Sequence, residues 1–342
     1  MQQAQRHAWR RLQLSRPRGA PHGHYVRGLA QLSRTSTQLP RSGIRDVMEQ
    51  ASAREENGER IIHLEVGQPD LLPPQHVQEA SAASALAPER SGSARYCPNP
   101  GVADARAAAA EYFERRAPGV RTLPEQIMVT PGAVMAIAAT YACVLDAGDE
   151  VLVPDPGWPN YRMAAELYNA TPVSYACPAE DGWLPNVDQM ADAVTNKTRL
   201  LLLNNPSNPA GVCLPPPLLA EILAMAHEKD LFVLSDEIYS DLAPPGEASP
   251  PSVLSYDMSE EDQERLIVVS GVSKAYSMCG YRVGFLRAQP ALIDTANKVV
   301  ETLISCTSPA SQAGMVAALR GPQVRTMLLL LLLCCCSCAS RA

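Results

Sequence analysis

At 342 residues, with 46% hydrophobic and 19% charged side chains, the chain can bury one large core or two ordinary ones. Its net charge of −7 hides a split: residues 1–45 hold nine arginines and no acidic residue, leaving 20 basic groups against 36 acidic beyond them. A body so acidic is a poor binder of nucleic acid, which needs clustered Lys and Arg, and no apolar run reaches the roughly 18 residues of a membrane-crossing helix.

The arginine-rich, acid-free leader of residues 1–41 has the composition of a transit peptide, so a plastid or mitochondrial address is expected; a disordered basic tail is the alternative. Cys97, Cys143, Cys177, Cys213, Cys279 and Cys306 are scattered without metal-ligand spacing and read as reduced core thiols.

From residue 42 to 320 the chain reads as one folded body. Ile61–Val66 is a short apolar run ended by Gly67-Gln-Pro-Asp70, and Arg95-Tyr-Cys-Pro-Asn-Pro-Gly101 is an extended loop before an alanine-rich helix, Ala103–Arg115. Strand and helix then alternate. Ile127–Val129 leads through Thr130-Pro-Gly-Ala133 into a helix to about Leu145, a turn whose exposed N–H groups suit a phosphate. Glu150–Val153 leads to the Gly/Pro loop carrying Trp158, and a helix follows to about Tyr168. Thr198–Leu203 ends in Asn204-Asn-Pro-Ser-Asn-Pro-Ala-Gly211 before a helix over Pro217–Glu228. Leu231–Leu234 delivers Ser235-Asp-Glu-Ile-Tyr239, and Leu266–Val269 delivers Lys274. Such alternation predicts an α/β fold, a mainly parallel sheet sandwiched by helices, with ligands outside the carboxyl ends of its strands. Gly132, Trp158, Asn208, Asp236 and Lys274 all follow strand ends.

Lys274, one of four lysines, lies among small and apolar residues. Their burial would desolvate its ammonium group, the condition under which a lysine serves as a Schiff-base former. Eight residues on, Arg282 between Gly280 and Gly284 is a fixed, phosphate-sized cation.

Gly271-Val-Ser-Lys-Ala-Tyr-Ser-Met-Cys-Gly-Tyr-Arg-Val-Gly284, with Asn-Pro-Ala-Gly and Ser-Asp-Glu-Ile-Tyr upstream in order, resembles the fold-type-I, pyridoxal-phosphate-dependent aminotransferases of classes I and II. The resemblance implies transamination between an amino acid and a 2-oxo acid, with Lys274 holding the cofactor and moving the substrate Cα proton. It implies Asp236 at the pyridine nitrogen, Tyr239 and Asn208 at the phenolic oxygen, and Trp158 on the ring face. The phosphate would meet the N–H groups of Gly132, Ala133 and Val134 and the charge of Arg282, with Ser270 or Ser273 as a candidate hydroxyl. Tyr96 would reach the phosphate of a neighbouring subunit, implying a homodimer, and Gly67 and Asn208 would meet the substrate carboxylate. A β-lyase on the same scaffold and a non-catalytic cofactor-binding product are the alternatives.

Beyond about Leu319 the resemblance stops. Residues 321–342 contain six successive leucines and Cys334, Cys335, Cys336 and Cys338, which form neither a domain nor a zinc set. The expectation is a truncated end with an incomplete small domain, in which neither Arg325 nor Arg341 has the context of a substrate-carboxylate arginine.

Overall fold

The computed structural model describes residues 32–242 and 249–322. Most of the proposed leader and the Leu/Cys-rich tail, with Arg325 and Arg341, lie outside the described residues. The described residues divide into two units between Leu39 and Pro40. Among the described residues of the first, a short helix spans Arg34–Gln38 and is capped by the Ser33 hydroxyl.

The second unit begins with α1 (Gly43–Glu56), α2 (Gln75–Leu86) and α3 (Ala103–Arg116). In α3, alanine favours the helix, Asp104 opens the first turn and Arg115 and Arg116 close the last, each complementing the helix dipole. The sheet and its crossovers follow: β1 (Ile127–Thr130), α4 (Ala133–Val144), β2 (Glu150–Asp155), α5 (Asn160–Leu167), β3 (Thr171–Ala176), α6 (Val187–Ala193), β4 (Thr198–Asn204), α7 (Pro216–Glu228) and β5 (Phe232–Asp236). The chain completes it with β6 (Leu266–Gly271) and β7 (Gly284–Arg287), then α8 (Pro290–Ile304) and α9 (Pro309–Arg320).

The seven strands run in the order β1-β7-β6-β5-β4-β2-β3. All neighbouring pairs are parallel except those of β7, which is antiparallel to both β1 and β6. The expected mainly parallel, helix-sandwiched sheet is therefore present. Leu200, Leu201, Leu202 and Leu203 are all 0% exposed, as central strands covered on both faces require. On one face Tyr112, Phe113 and Phe285 meet edge to face at 5.3–5.5 Å, and α3 and α7 pack there. On the other, α4, α5 and α8 cover Val151, Leu202, Leu234 and Val269.

Ile61–Val66 joins no strand of this sheet, and Ile62 and Leu64 are 78% and 74% exposed. The C-terminal helix α9 packs on α2 and α3: Ser81 Oγ donates to the Ala310 carbonyl, and Arg320 pairs with Glu111 at 2.6 Å and with Asp104.

Candidate active site

Five connections converge at the carboxyl ends of β1, β2, β4, β5 and β6. Asp236 is the last residue of β5, in register with Asn204 of β4 and Val269 of β6. Its carboxylate is 2% exposed. One oxygen accepts the Tyr161 hydroxyl at 2.8 Å and the other the Ile238 N–H at 3.1 Å. Burial pushes its pKa up to about 6, against these two donors and the Lys274 charge, which pull it down. Among the described residues no ion pair neutralises it.

Asn204, beside it, donates from Nδ2 to the Asp236 carbonyl and accepts the Asn208 N–H at 2.7 Å, which fixes the loop carrying Asn208. Asn208 Nδ2 lies 3.3 Å from the Tyr239 hydroxyl. Burial, reinforced by the Asp236 charge, raises the Tyr239 pKa. Lys274 reaches over this ring, Nζ 5.9 Å from its centroid, and donates to the Gly67 carbonyl at 2.6 Å. Lys274 is half-buried, so its ammonium is held by a backbone carbonyl rather than enclosed by apolar residues as the sequence alone implied. That bond also brings Gly67 to the site across 207 positions of sequence.

Three glycines permit the β1–α4 turn to meet the Arg282 segment. A Cβ on Gly284 would lie 2.6 Å from the Ala133 nitrogen, and one on Gly271 would lie 3.1 Å from the Gly284 Cα. Gly132 has φ +82°, and a Cβ there would sit 2.5 Å from Arg282 Nη2. The guanidinium thus rests on the bare face of Gly132, steadied by Nη1 donating to the Cys279 carbonyl at 2.9 Å. The Gly132 N–H closes its own turn on the Thr130 carbonyl at 2.7 Å. The N–H groups of Ala133 and Val134 open α4 without a partner among the described residues. They are the donors this helix end presents to an anion.

Trp158 is half-buried and meets Tyr161 edge to face, with ring centroids at 5.3 Å. Tyr161, which the sequence did not single out, thereby links Trp158 to Asp236; its signal was the i, i+3 spacing from Trp158. Tyr96 is 89% exposed and has no hydrogen bond to these residues among those described. Ser270 belongs elsewhere: its hydroxyl lies 3.2 Å from that of Tyr112, in the core layer under α3. Ser273 is buried, and its carbonyl accepts the Cys279 thiol at 3.2 Å.

The sequence profile described as aminotransferase class I and II matches residues 59–328. The chain belongs to the class I and II aminotransferases. Its relatives include an asparagine–oxo-acid transaminase of Streptococcus mutans, 32% identical over 86% of this chain and 73% of the relative. A probable aspartate/prephenate aminotransferase of Thermus aquaticus is 34% identical over 83% and 70%. The aspartate aminotransferase of Thermus thermophilus solved with maleate superposes with a TM-score of 0.78 at 29% identity, over 85% of this chain and 73% of that one. That of Rhizobium meliloti gives 0.79 at 30%, over 91% and 75%. This aminotransferase accordingly moves an amino group between an amino acid and a 2-oxo acid, and these relatives favour neither the β-lyase nor the non-catalytic reading.

Tyr161→Phe tests the Asp236 pocket of the aminotransferase. The hydroxyl favours the ionised carboxylate, so its loss is expected to raise the Asp236 pKa and move the acid limb of the pH–rate profile upward. A rate loss of about 10-fold near that limb should shrink at higher pH. An unmoved profile would separate Tyr161 from Asp236 in function.

Proposed function

We propose that this aminotransferase holds pyridoxal phosphate in the Lys274–Asp236–Arg282 constellation. The carrying observation is Asp236: a carboxylate 2% exposed whose two direct donors, Tyr161 and the Ile238 N–H, are neutral. A protonated ring nitrogen is the cation such a site fits. The shape of the anion cradle, with Arg282 lying on the bare face of Gly132 beside the opening N–H groups of α4, fits a phosphate.

When bound, pyridoxal phosphate supplies the electron sink that lets the bond from substrate Cα to its proton break and re-form. The chain's residues do the rest. Lys274 would hold the cofactor through Nζ, and its amine would be the group that carries the Cα proton. Asp236 would keep the ring nitrogen protonated, because its own charge is buried and has no ion-pair partner among the described residues. Tyr239 and Asn208, already hydrogen-bonded to each other, would orient the phenolic oxygen, and Trp158, packed on Tyr161, would contact the ring. Ala133, Val134, the Gly132 turn and Arg282 would hold the phosphate. Gly67, fixed beside Lys274, and Asn208 meet the substrate carboxylate.

Added pyridoxal phosphate is expected to give the purified chain a visible-range absorbance, and borohydride reduction should fix its mass on the peptide containing Lys274. A colourless chain labelled at no single lysine would defeat the reading. Tyr96, exposed beside Cys97, together with exposed Ile62 and Leu64, supports a homodimer in which the Tyr96 hydroxyl serves the partner's phosphate. Sedimentation should give twice the chain mass, and Tyr96→Phe should weaken cofactor retention while the dimer persists; a monomer that retains cofactor equally well would refute it.

A further inference from the structure

Two cysteines 209 positions apart in sequence meet beside the head of α9, outside the constellation described above. Cys97 is brought to the residue that follows Cys306 in the chain, Thr307, to whose carbonyl its Sγ donates at 3.5 Å. The two backbones are held together independently of the sulfurs. Gln312, 0% exposed, donates from Nε2 to the Thr307 carbonyl at 2.8 Å and lies 3.3 Å from Cys97 Sγ. Its Oε1 accepts the Val102 N–H at 2.8 Å. Thr307 Oγ1 is anchored on the Val129 carbonyl, and Val129 donates in turn to Pro100. Both cysteines are half-buried, so a small oxidant can reach them, and neither is part of a metal-binding cluster among the described residues.

We propose that Cys97 and Cys306 form a peroxide-sensitive dithiol that closes into a disulfide, pinning the loop of Tyr96 to the α8–α9 connection. Cys306 reacts first, because the Cys97 S–H is engaged by the Thr307 carbonyl. The Cys306 thiolate attacks one peroxide oxygen; an S–O bond forms, the O–O bond breaks, and the departing hydroxide takes a proton to become water. Cys97 sulfur then attacks Cys306 sulfur. The S–S bond forms, the S–O bond breaks, and the Cys97 proton leaves with the hydroxide as a second water. Each sulfur gives up one electron, and the peroxide takes both.

The location gives the bond its consequence. Cys97 is the residue after Tyr96 and lies in the loop that ends at Gly101, where a Cβ would sit 2.8 Å from Val129. A disulfide here closes a loop of some two hundred residues, the class that most restricts the unfolded chain.

The test treats the full-length chain with hydrogen peroxide, blocks remaining thiols with iodoacetamide and maps peptides without reduction. The expected result is a linked Cys97–Cys306 peptide pair that dithiothreitol separates, with a melting temperature about 10 °C higher in the oxidised form. Cys213→Ser should leave both results unchanged, whereas Cys306→Ser should abolish the linked pair and the shift. The proposal is overturned if both cysteines of the wild-type chain stay alkylatable at doses that oxidise exposed Cys213, or if Cys97 links mainly to another cysteine. Because the mapping needs only the wild-type protein, a variant that fails to fold does not spare the idea.

Discussion

Lys274→Ala is expected to remove the visible-range absorbance of the cofactor-loaded chain and to lower transamination by about 10⁴-fold, the upper end of what one positioned proton-transfer group supplies. The structure says why the loss should be chemical. Lys274 contributes one bond to the Gly67 carbonyl and a cation over Tyr239, both at a half-buried position, so its removal should cost only about 1 kcal/mol of stability. Lys274→Arg sharpens the test. A guanidinium preserves the positive charge and can donate to the Gly67 carbonyl, but it does not give up a proton to become an attacking amine. The arginine variant should therefore melt like the wild type and be as inactive as the alanine variant. An alanine variant that keeps its absorbance, or an arginine variant that keeps its turnover, would mean that another lysine carries the chemistry. Lys197, Lys229 and Lys298 are the alternatives that peptide mapping would distinguish.

Gly132, Trp158, Asn208, Asp236 and Lys274, which the sequence made legible, share one physical trait: each lies at or beyond the end of a strand whose core residues are buried. Leu200–Leu203 and Ile267–Val269 are continuous apolar runs, so their ends were visible, and with them Asn208 and Lys274. The strands that escaped notice lack such runs. β3 is an edge strand whose side chains are mostly half-buried or exposed, and Pro172 suits only an edge. β7 is four residues long, and its antiparallel partners β1 and β6 are set by non-local pairing. Ile61–Val66 shows the converse, because apolar composition alone does not say whether a segment enters the sheet. In the site, Tyr161 read as an ordinary helical aromatic; only the fold shows that its hydroxyl turns to Asp236. Ser270 looked available because it precedes Lys274 by four positions, yet strand alternation sends its side chain toward Tyr112.

Asp236→Asn is expected to act in opposite directions on catalysis and on stability. Transamination should fall by about 10³-fold, because a neutral amide does not hold the ring nitrogen of the cofactor in its protonated form. The cofactor-free chain should at the same time become more stable above neutral pH. Burial raises the Asp236 pKa from 3.8 to about 6, so the folded state binds more protons than the unfolded one across that interval. The associated stability is present below about pH 4 and is lost as pH rises through about 6, amounting to about 3 kcal/mol. Asparagine escapes that loss while keeping an oxygen for the Ile238 N–H and an amide facing the Tyr161 hydroxyl. Wild-type stability should keep falling to slightly higher pH, since Glu237 is raised in the same way, to about 7. Its Oε1 accepts Ser235, Ser252 and the Val253 N–H, and Arg116 pulls its pKa down. Denaturant melts of cofactor-free wild type and Asp236→Asn at about pH 5 and about pH 8 should therefore diverge at the higher pH. Pyridoxal phosphate should restore stability at about pH 8 in the wild type far more than in the variant, because only a carboxylate gains an ion pair from the ring. An asparagine variant that is less stable at both pH values and still gains as much from the cofactor would show that Asp236 serves as a structural acceptor, its charge unused.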